Sequence, residues 1–296
     1  MFDLSAYLER CRQKVNRELE RLFPAHPQSS RLRAAMAYSI SAGGKRVRPA
    51  LCLAAAETVG TSDRDVTQAA AAIEMVHTYS LIHDDLPAMD DDTLRRGKPT
   101  CHVAFDEATA ILAGDGLLTF AFETLAGAAL ASGKDSGIWL RVIQSLAAAA
   151  GPRGMIEGQM RDIAAEKESP GVRELEQMHA LKTGAMIVAS VEIGALLGGG
   201  RRAQVNLLRE YARHIGLAFQ VMDDILNVSG DPALMGKATG TDRERNKTTY
   251  PALLGLDGSR KFAVDLVSKA LRALDNFDNR SEPLVALANY IIARKR

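Results

Sequence analysis

The stretch HTYSLIHDDLPAMDDDTLRRGKPT, residues 77–100, decides how the rest of the chain is read. It opens as the tail of an apolar, helix-patterned segment (66–85) and ends that segment on paired carboxylates, Asp84-Asp85. On a helix, residues 77, 80 and 84 share a face, so His77, Ser80 and Asp84 are expected along one wall. Pro87 disfavours helical geometry at Leu86, which predicts the helix end there. A straight continuation would put Asp84 and Asp90 on different faces, whereas a turn through Leu86–Met89 folds Asp90 back toward Asp84. Neighbouring carboxylates repel and are costly to desolvate. Acids at a helix C-terminus also oppose the macrodipole, so a merely solvated helix end explains them poorly. Oxygen ligands without His or Cys suit Mg²⁺ or Mn²⁺ rather than zinc.

Outward from this stretch the pattern stays helical. In 4–23, Leu4, Leu8, Cys11, Val15, Leu19 and Leu22 recur at three- and four-residue steps. Similar periodicity covers 29–42, 48–59, 105–131, 136–150, 153–166, 172–197, 203–228, 248–255, 259–276 and 283–294, with no confident alternating strand pattern. Gly and Pro punctuate short breaks, no low-complexity linker divides the chain, and alanine runs permit close helix packing. The expectation is an all-α fold: a single domain over residues 1–296, built as one large helical bundle. One break is long and charged, 229–247, the pattern of a functional lid.

The 296 residues carry a formal charge of +1, which gives no global case for nucleic acid or an anionic membrane surface. Hydrophobic content of 47% suffices for a sizeable core. No 18-residue stretch is free of charge, which argues against an integral membrane helix. The N-terminus lacks the unbroken apolar core of a signal peptide. Cys11, Cys52 and Cys101 form neither a disulfide framework nor a zinc pattern, and point to a reducing, cytoplasmic setting.

A second acidic pair, Asp223-Asp224, lies in FQVMDDILN (219–227). Asp223 shares a face with Gly216, Phe219 and Gln220, and sits four residues before Asn227, whose amide oxygen can ligate but brings no charge. The alternative here is a buried aspartate capping a neighbouring helix. Two acidic clusters facing each other would cage a strongly anionic ligand together with metal. The cations for such a ligand are present: Lys45, Arg46, Arg48, Arg95, Arg96, Lys182, Lys237 and Lys247. GGKRVRP (43–49) gathers three of them before a helix, where exposed amides favour phosphate. Arg95-Arg96 supply guanidinium forks that match phosphate oxygens.

Taken in order, GGKRVRP (43–49), HTYSLIHDDLPAMDDDTLRRGKPT (77–100), GQMRD (158–162), KTG (182–184), FQVMDDILN (219–227), GKATGTD (236–242) and KTTYPALLG (247–255) resemble the trans-isoprenyl diphosphate synthases over nearly the whole chain. Within them the chain looks like the short-chain bacterial farnesyl diphosphate synthases. The resemblance implies a helical fold around a deep central cavity, a homodimer, and head-to-tail condensation of an allylic diphosphate with isopentenyl diphosphate. It implies that Asp84, Asp85, Asp90 and Asp223, with Asp224 and Asn227 nearby, hold about three Mg²⁺ on the allylic diphosphate. Arg95, Lys182 and Lys237 would contact the same diphosphate. Lys45, Arg48, His77 and Arg96 would bind isopentenyl diphosphate, with Gly44 and Arg46 in the same loop and Lys247 among the substrate contacts. Thr183 and Gln220 would flank the reacting carbons, and 229–247 would close over the site. Asn227 departs from the family's usual third aspartate, which implies a weaker metal requirement there or a higher Mg²⁺ optimum. An aromatic five residues before Asp84, here Tyr79 beside Ser80, together with the two extra residues in DDLPAMD, goes in that family with a C15 product; the alternative is that Tyr79 is a core aromatic and the wall lies elsewhere. The alternatives are a geranylgeranyl diphosphate synthase with a deeper cavity, or a catalytically weak partner subunit.

Overall fold

The computed structural model describes residues 2–24, 30–61, 63–165, 170–229 and 248–294. They form thirteen α-helices, here α1 (Leu4–Leu22), α2 (Arg31–Ile40), α3 (Val47–Val59), α4 (Arg64–Asp84), α5 (Cys101–Ala104), α6 (Glu107–Ala131), α7 (Ser136–Ala150), α8 (Met155–Ala165), α9 (Val172–His179), α10 (Ala185–Leu197), α11 (Arg202–Ser229), α12 (Tyr250–Arg272) and α13 (Glu282–Ala293). Capping residues start several of them. Asp63 accepts from the Val66 amide at 3.2 Å to open α4, and Asp106 from the Thr109 amide at 2.7 Å to open α6, each satisfying an orphan donor of the first turn.

Two helices run through the middle. In α4, Ala69–Ala72, Ile73, Met75 and Val76 are all buried, and in α10 so are Met186, Ile187, Ala189, Val191, Ile193 and Ala195. A helix that is apolar on every side belongs in a core rather than at a surface. Helix α3 packs on α10, α6 on α4, α7 on α10, and α11 on α12. One buried cluster runs from Tyr7 to Ile291. Trp139, the chain's one tryptophan, is buried on α7.

The structure differs from the sequence reading in two places. The expected helix 172–197 is interrupted by a π-helical turn, Ala180–Gly184, which side-chain periodicity does not reveal. The separate segments 248–255 and 259–276, by contrast, agree with the structure: Gly255 at φ 70°, ψ 165° breaks α12 into two helical pieces. A short antiparallel hairpin, Leu94–Arg95 (β1) with Lys98–Pro99 (β2), follows the first acidic cluster. Arg96 and Gly97, both at positive φ (55° and 75°), form its two-residue turn, and turns of this hand match the strand twist. Strands of two residues are too short to show alternation.

By length and composition alone, two helical stretches could cross a membrane, Glu107–Ala131 and Val172–Leu197. The second is core. The first presents Ile111, Leu112 and Leu130 outward.

Candidate active site

A cavity of ≈ 880 Å³ opens between α3, α4, the β1–β2 hairpin, the π turn and α11. The chemistry of its walls follows from how each segment is folded.

The GGKRVRP loop enters α3 through three positive-φ residues, Gly43 (φ 90°), Gly44 (φ 131°) and Arg46 (φ 49°). Gly44 has a second reason to be glycine, since a Cβ there would overlap the Arg96 guanidinium. Arg96 in turn donates from Nη1 to the Gly43 carbonyl, so loop and hairpin are locked together. Lys45 is exposed, and Arg48 turns toward α4 with Nη1 3.5 Å from His77 Nε2. Burial, and then the charges of Arg48, Arg96, Arg95 and Arg46, hold His77 well below its usual protonation range. The ring is therefore neutral at pH 7, with Nε2 as acceptor. Gly44, Lys45, Arg48, His77, Arg95 and Arg96 all line the cavity.

Arg46 borders the same cavity, but its guanidinium is turned inward. Its side chain is buried beneath the loop, where Nη1 donates to Glu74 Oε1 at 2.6 Å, Nη2 to the Ile40 carbonyl at 2.6 Å and Nε to Asn16 Oδ1 at 3.2 Å.

At the C-terminal end of α4, the turn through Leu86–Met89 brings the Asp90 amide to the Asp84 carbonyl at 2.8 Å. The Asp84 carboxyl is pushed up to about 6. Burial is the main cause and the Asp90 and Asp85 charges add to it, while Lys182 and Arg95 work the other way. A carboxylate held uncomfortably as an anion, beside a second one, suits a hard divalent cation. Asp85 is buried and paired, Arg95 Nε donating to its Oδ1 at 2.6 Å, with Asp92 as a further partner of Arg95 at 3.2 Å.

Of the face expected to hold His77, Ser80 and Asp84, the cavity takes His77 and Leu81. Ser80 turns its hydroxyl back to the His77 carbonyl at 2.9 Å. Tyr79 is buried on another side of α4, its ring edge-on to His83 at 5.7 Å and its hydroxyl without a partner. His83 Nε2 lies 3.0 Å from the Ile111 carbonyl of α6. Tyr79 thus fills the seam between α4 and α6 rather than lining the open cavity.

The opposite wall is built on the π turn. Wider turns of this kind concentrate at functional sites, and this one carries Lys182 and buried Thr183. Helix α8 reaches it closely because residue 158 is glycine, where any Cβ would overlap the Lys182 backbone. One helical turn later, Asp162 accepts from Lys182 Nζ at 2.5 Å. GQMRD and KTG are therefore one device. Gln220, Asp223, Asp224 and Asn227 line the cavity from α11. Asp224 Oδ2 accepts from the Tyr250 amide at 2.9 Å and so caps α12, the capping alternative raised for this pair. Asp223 faces Arg294, whose Nη2 donates to Asp223 Oδ1 at 2.7 Å and to the Phe219 carbonyl at 2.8 Å. The Arg294 guanidinium also stacks on the Phe219 ring at 4.0 Å.

Lys237, Lys247 and residues 230–247 of the expected lid lie outside the described residues. Glu74, Asp162 and Arg294 were not singled out from sequence. Asp162 stood within a quoted motif without a role, and the spacing of Glu74 one turn before His77 was the available signal. Nothing in the local pattern marks Arg294. Among the described residues, no three His, Cys, Asp or Glu side chains converge to enclose a metal by themselves. The donor set fits Mg²⁺ where a ligand's own oxygens complete the shell.

Comparison with known proteins agrees with this construction. The polyprenyl synthetase family profile matches residues 29–281. The chain is 47% identical to farnesyl diphosphate synthase of Escherichia coli, over 99% of this chain and 100% of that one. It is 46% identical to the large subunit 1 of the heterodimeric chloroplastic geranylgeranyl pyrophosphate synthase of Arabidopsis thaliana, over 99% of this chain and 80% of that one. Among solved structures, an FPP/GFPP synthase from Zymomonas mobilis superposes with a TM-score of 0.85 at 37% identity, covering 98% of each chain. With the helical fold, the cavity and its ordered motifs, these matches show that the chain belongs to the polyprenyl synthetase family of prenyltransferases.

Proposed function

We propose that this enzyme condenses isopentenyl diphosphate with dimethylallyl and then geranyl diphosphate, and stops at (E,E)-farnesyl diphosphate. One observation carries the reading: a single cavity has one wall dominated by basic side chains, with buried Glu74 among them, and another of mixed acids and bases. Two diphosphates can be held there with their hydrocarbon tails facing each other. Lys45, Arg48, Arg96 and neutral His77 suit isopentenyl diphosphate, which needs charge but no ionisation. Arg95 and Lys182 suit the allylic diphosphate, which must leave; Lys237 and Lys247 join as substrate contacts.

The allylic carbon–oxygen bond breaks and its electron pair goes to the diphosphate. The isopentenyl double bond then attacks the allylic cation, and the new cation loses a proton to the released diphosphate. Held cations stabilise the leaving charge more than the bound ester, and this difference is what accelerates the step. When bound, about three Mg²⁺ would add positive charge there, held by Asp84, Asp85, Asp90 and Asp223, with Asp224 and Asn227 nearby; Mn²⁺ has the same oxygen preference. The Lys182 carbonyl, Thr183 and Gln220 flank the reacting carbons. Leu81, Phe219 and Ile187, also in the cavity wall, keep water from the cation.

Identity to farnesyl and geranylgeranyl synthases is similar, so the product rests on Tyr79. Its ring blocks the α4–α6 seam along which a longer chain would extend, with Ser80 beside it. Incubation with Mg²⁺, isopentenyl diphosphate and geranyl diphosphate should give C15 alcohol after dephosphorylation, and Tyr79→Ala should shift the product to C20 or longer. A C20 product from the unaltered enzyme would sink the chain-length reading and favour the geranylgeranyl alternative. The apolar outer face of α6 supports a homodimer. The three cysteines, all free and buried, accord with a cytoplasmic setting.

A further inference from the structure

Glu74 and Arg46 form a buried ion pair, 2% and 4% exposed at the side chains and 2.6 Å apart, beneath the loop that carries Lys45 and Arg48. Buried pairs are seldom retained for stability, since apolar residues of similar size often serve better. Their geometry suggests another use. Arg46 is in the left-handed region (φ 49°), a conformation that costs a residue with a Cβ roughly 1 kcal/mol or more. That twist lets residue 46 point inward while Lys45 stays exposed and Arg48 reaches His77. The inward guanidinium is held at three corners by three elements: Asn16 of α1, the Ile40 carbonyl ending α2, and Glu74 of α4.

Glu74 also stands one helical turn before His77. Burial works against the charges of Arg48 and Arg96, and the Glu74 carboxylate is the largest charge that favours them. Four basic groups meet in this niche with Glu74 as their buried counter-charge.

We propose that Glu74 is a positioning residue: through Arg46 it fixes the strained loop, so that Lys45, Arg48 and His77 converge on the isopentenyl diphosphate before it binds. This rests on the function proposed above. Glu74 borders the cavity but is 2% exposed and turned to Arg46. Its carboxylate anchors the Arg46 fork, and the fork sets the loop's backbone.

The test is calorimetric titration of isopentenyl diphosphate without Mg²⁺, beside steady-state rates with both substrates. Glu74→Gln keeps the shape and removes the charge. It should weaken isopentenyl diphosphate binding about tenfold, equivalent to about 1.4 kcal/mol, raise its KM to match, and leave the KM for geranyl diphosphate unchanged. If Glu74 acts through Arg46, the pair Arg46→Gln/Glu74→Gln should bind no worse than the weaker single variant. Asn16→Ala, at the half-buried corner, should give a smaller loss in the same direction, and keeps the test open should Glu74→Gln not fold. Unchanged affinity in folded Glu74→Gln, an equal loss for both substrates, or additive losses in the double variant would each overturn the proposal. If the unaltered enzyme neither binds isopentenyl diphosphate nor turns over, the functional reading falls first, and this with it.

Discussion

At the scale of single residues, the site holds two groups whose protonation the fold pulls in opposite directions. His77 is kept from its proton by burial and four guanidinium charges. Below the ordinary value of 6.5 the unfolded chain takes up a proton that the native ring refuses, so this contribution to stability is lost as pH falls. Asp84 has the opposite sign. Its carboxyl is raised from 3.8 to about 6, so the native state keeps a proton that the unfolded chain has released, and stability declines as pH rises through that window. In metal-free protein, His77→Asn should flatten the fall in melting temperature from about pH 7 to about pH 5. Asp84→Asn should raise the melting temperature at about pH 7 by a few degrees, with little effect near pH 4. An Asp84→Asn protein that melts lower than the unaltered one at pH 7 would contradict this account.

Elements are where sequence reading succeeds and fails most instructively. The helix through His77–Asp84 and the return of Asp90 were legible because apolar periodicity and Pro87 act locally. The hairpin at Arg95–Arg96 was not, because its turn depends on Arg96 accepting a conformation that glycine usually supplies. The π turn was hidden for a related reason: one extra residue in a helical turn leaves composition unchanged. What it does depends on α8, which approaches Lys182 only because Gly158 has no side chain. Gly158→Ala should therefore displace Lys182 from Asp162. Overpacking of this kind costs about 1–3 kcal/mol, readable as a lower denaturation midpoint, and kcat should fall more than the melting temperature suggests. A variant with the unaltered midpoint and kcat would show that the approach is slack. Arg294 illustrates the last limit. Its pairing with Asp223 spans the whole of α12 and α13, and no local pattern reports a contact of that sequence separation.

Across the whole molecule the distribution of apolar surface is uneven. Leu130 is 90% exposed, Leu112 57% and Ile111 44%, all on α6, while the opposite side of the same helix is packed against α4. Large apolar side chains left outward on a long helix mark an interaction surface, here with Asp115 and Glu123 among them. Static light scattering should give twice the chain mass of 31.9 kDa, and Leu112→Glu/Leu130→Glu should shift it toward a single chain. A single-chain mass for the unaltered protein at micromolar concentration would refute the homodimer.

Trp139 gives this molecule a convenient optical property. It is the chain's one indole, buried on α7 against the core, with an N–H that meets no acceptor. Its emission should be blue and move to the red as α7 leaves α10. It is also absent from the cavity wall, so a substrate in the cavity does not touch the fluorophore. Intrinsic fluorescence is thus a clean gauge of unfolding that stays dark to catalysis, and every stability difference above can be read from it with ligands in the cuvette.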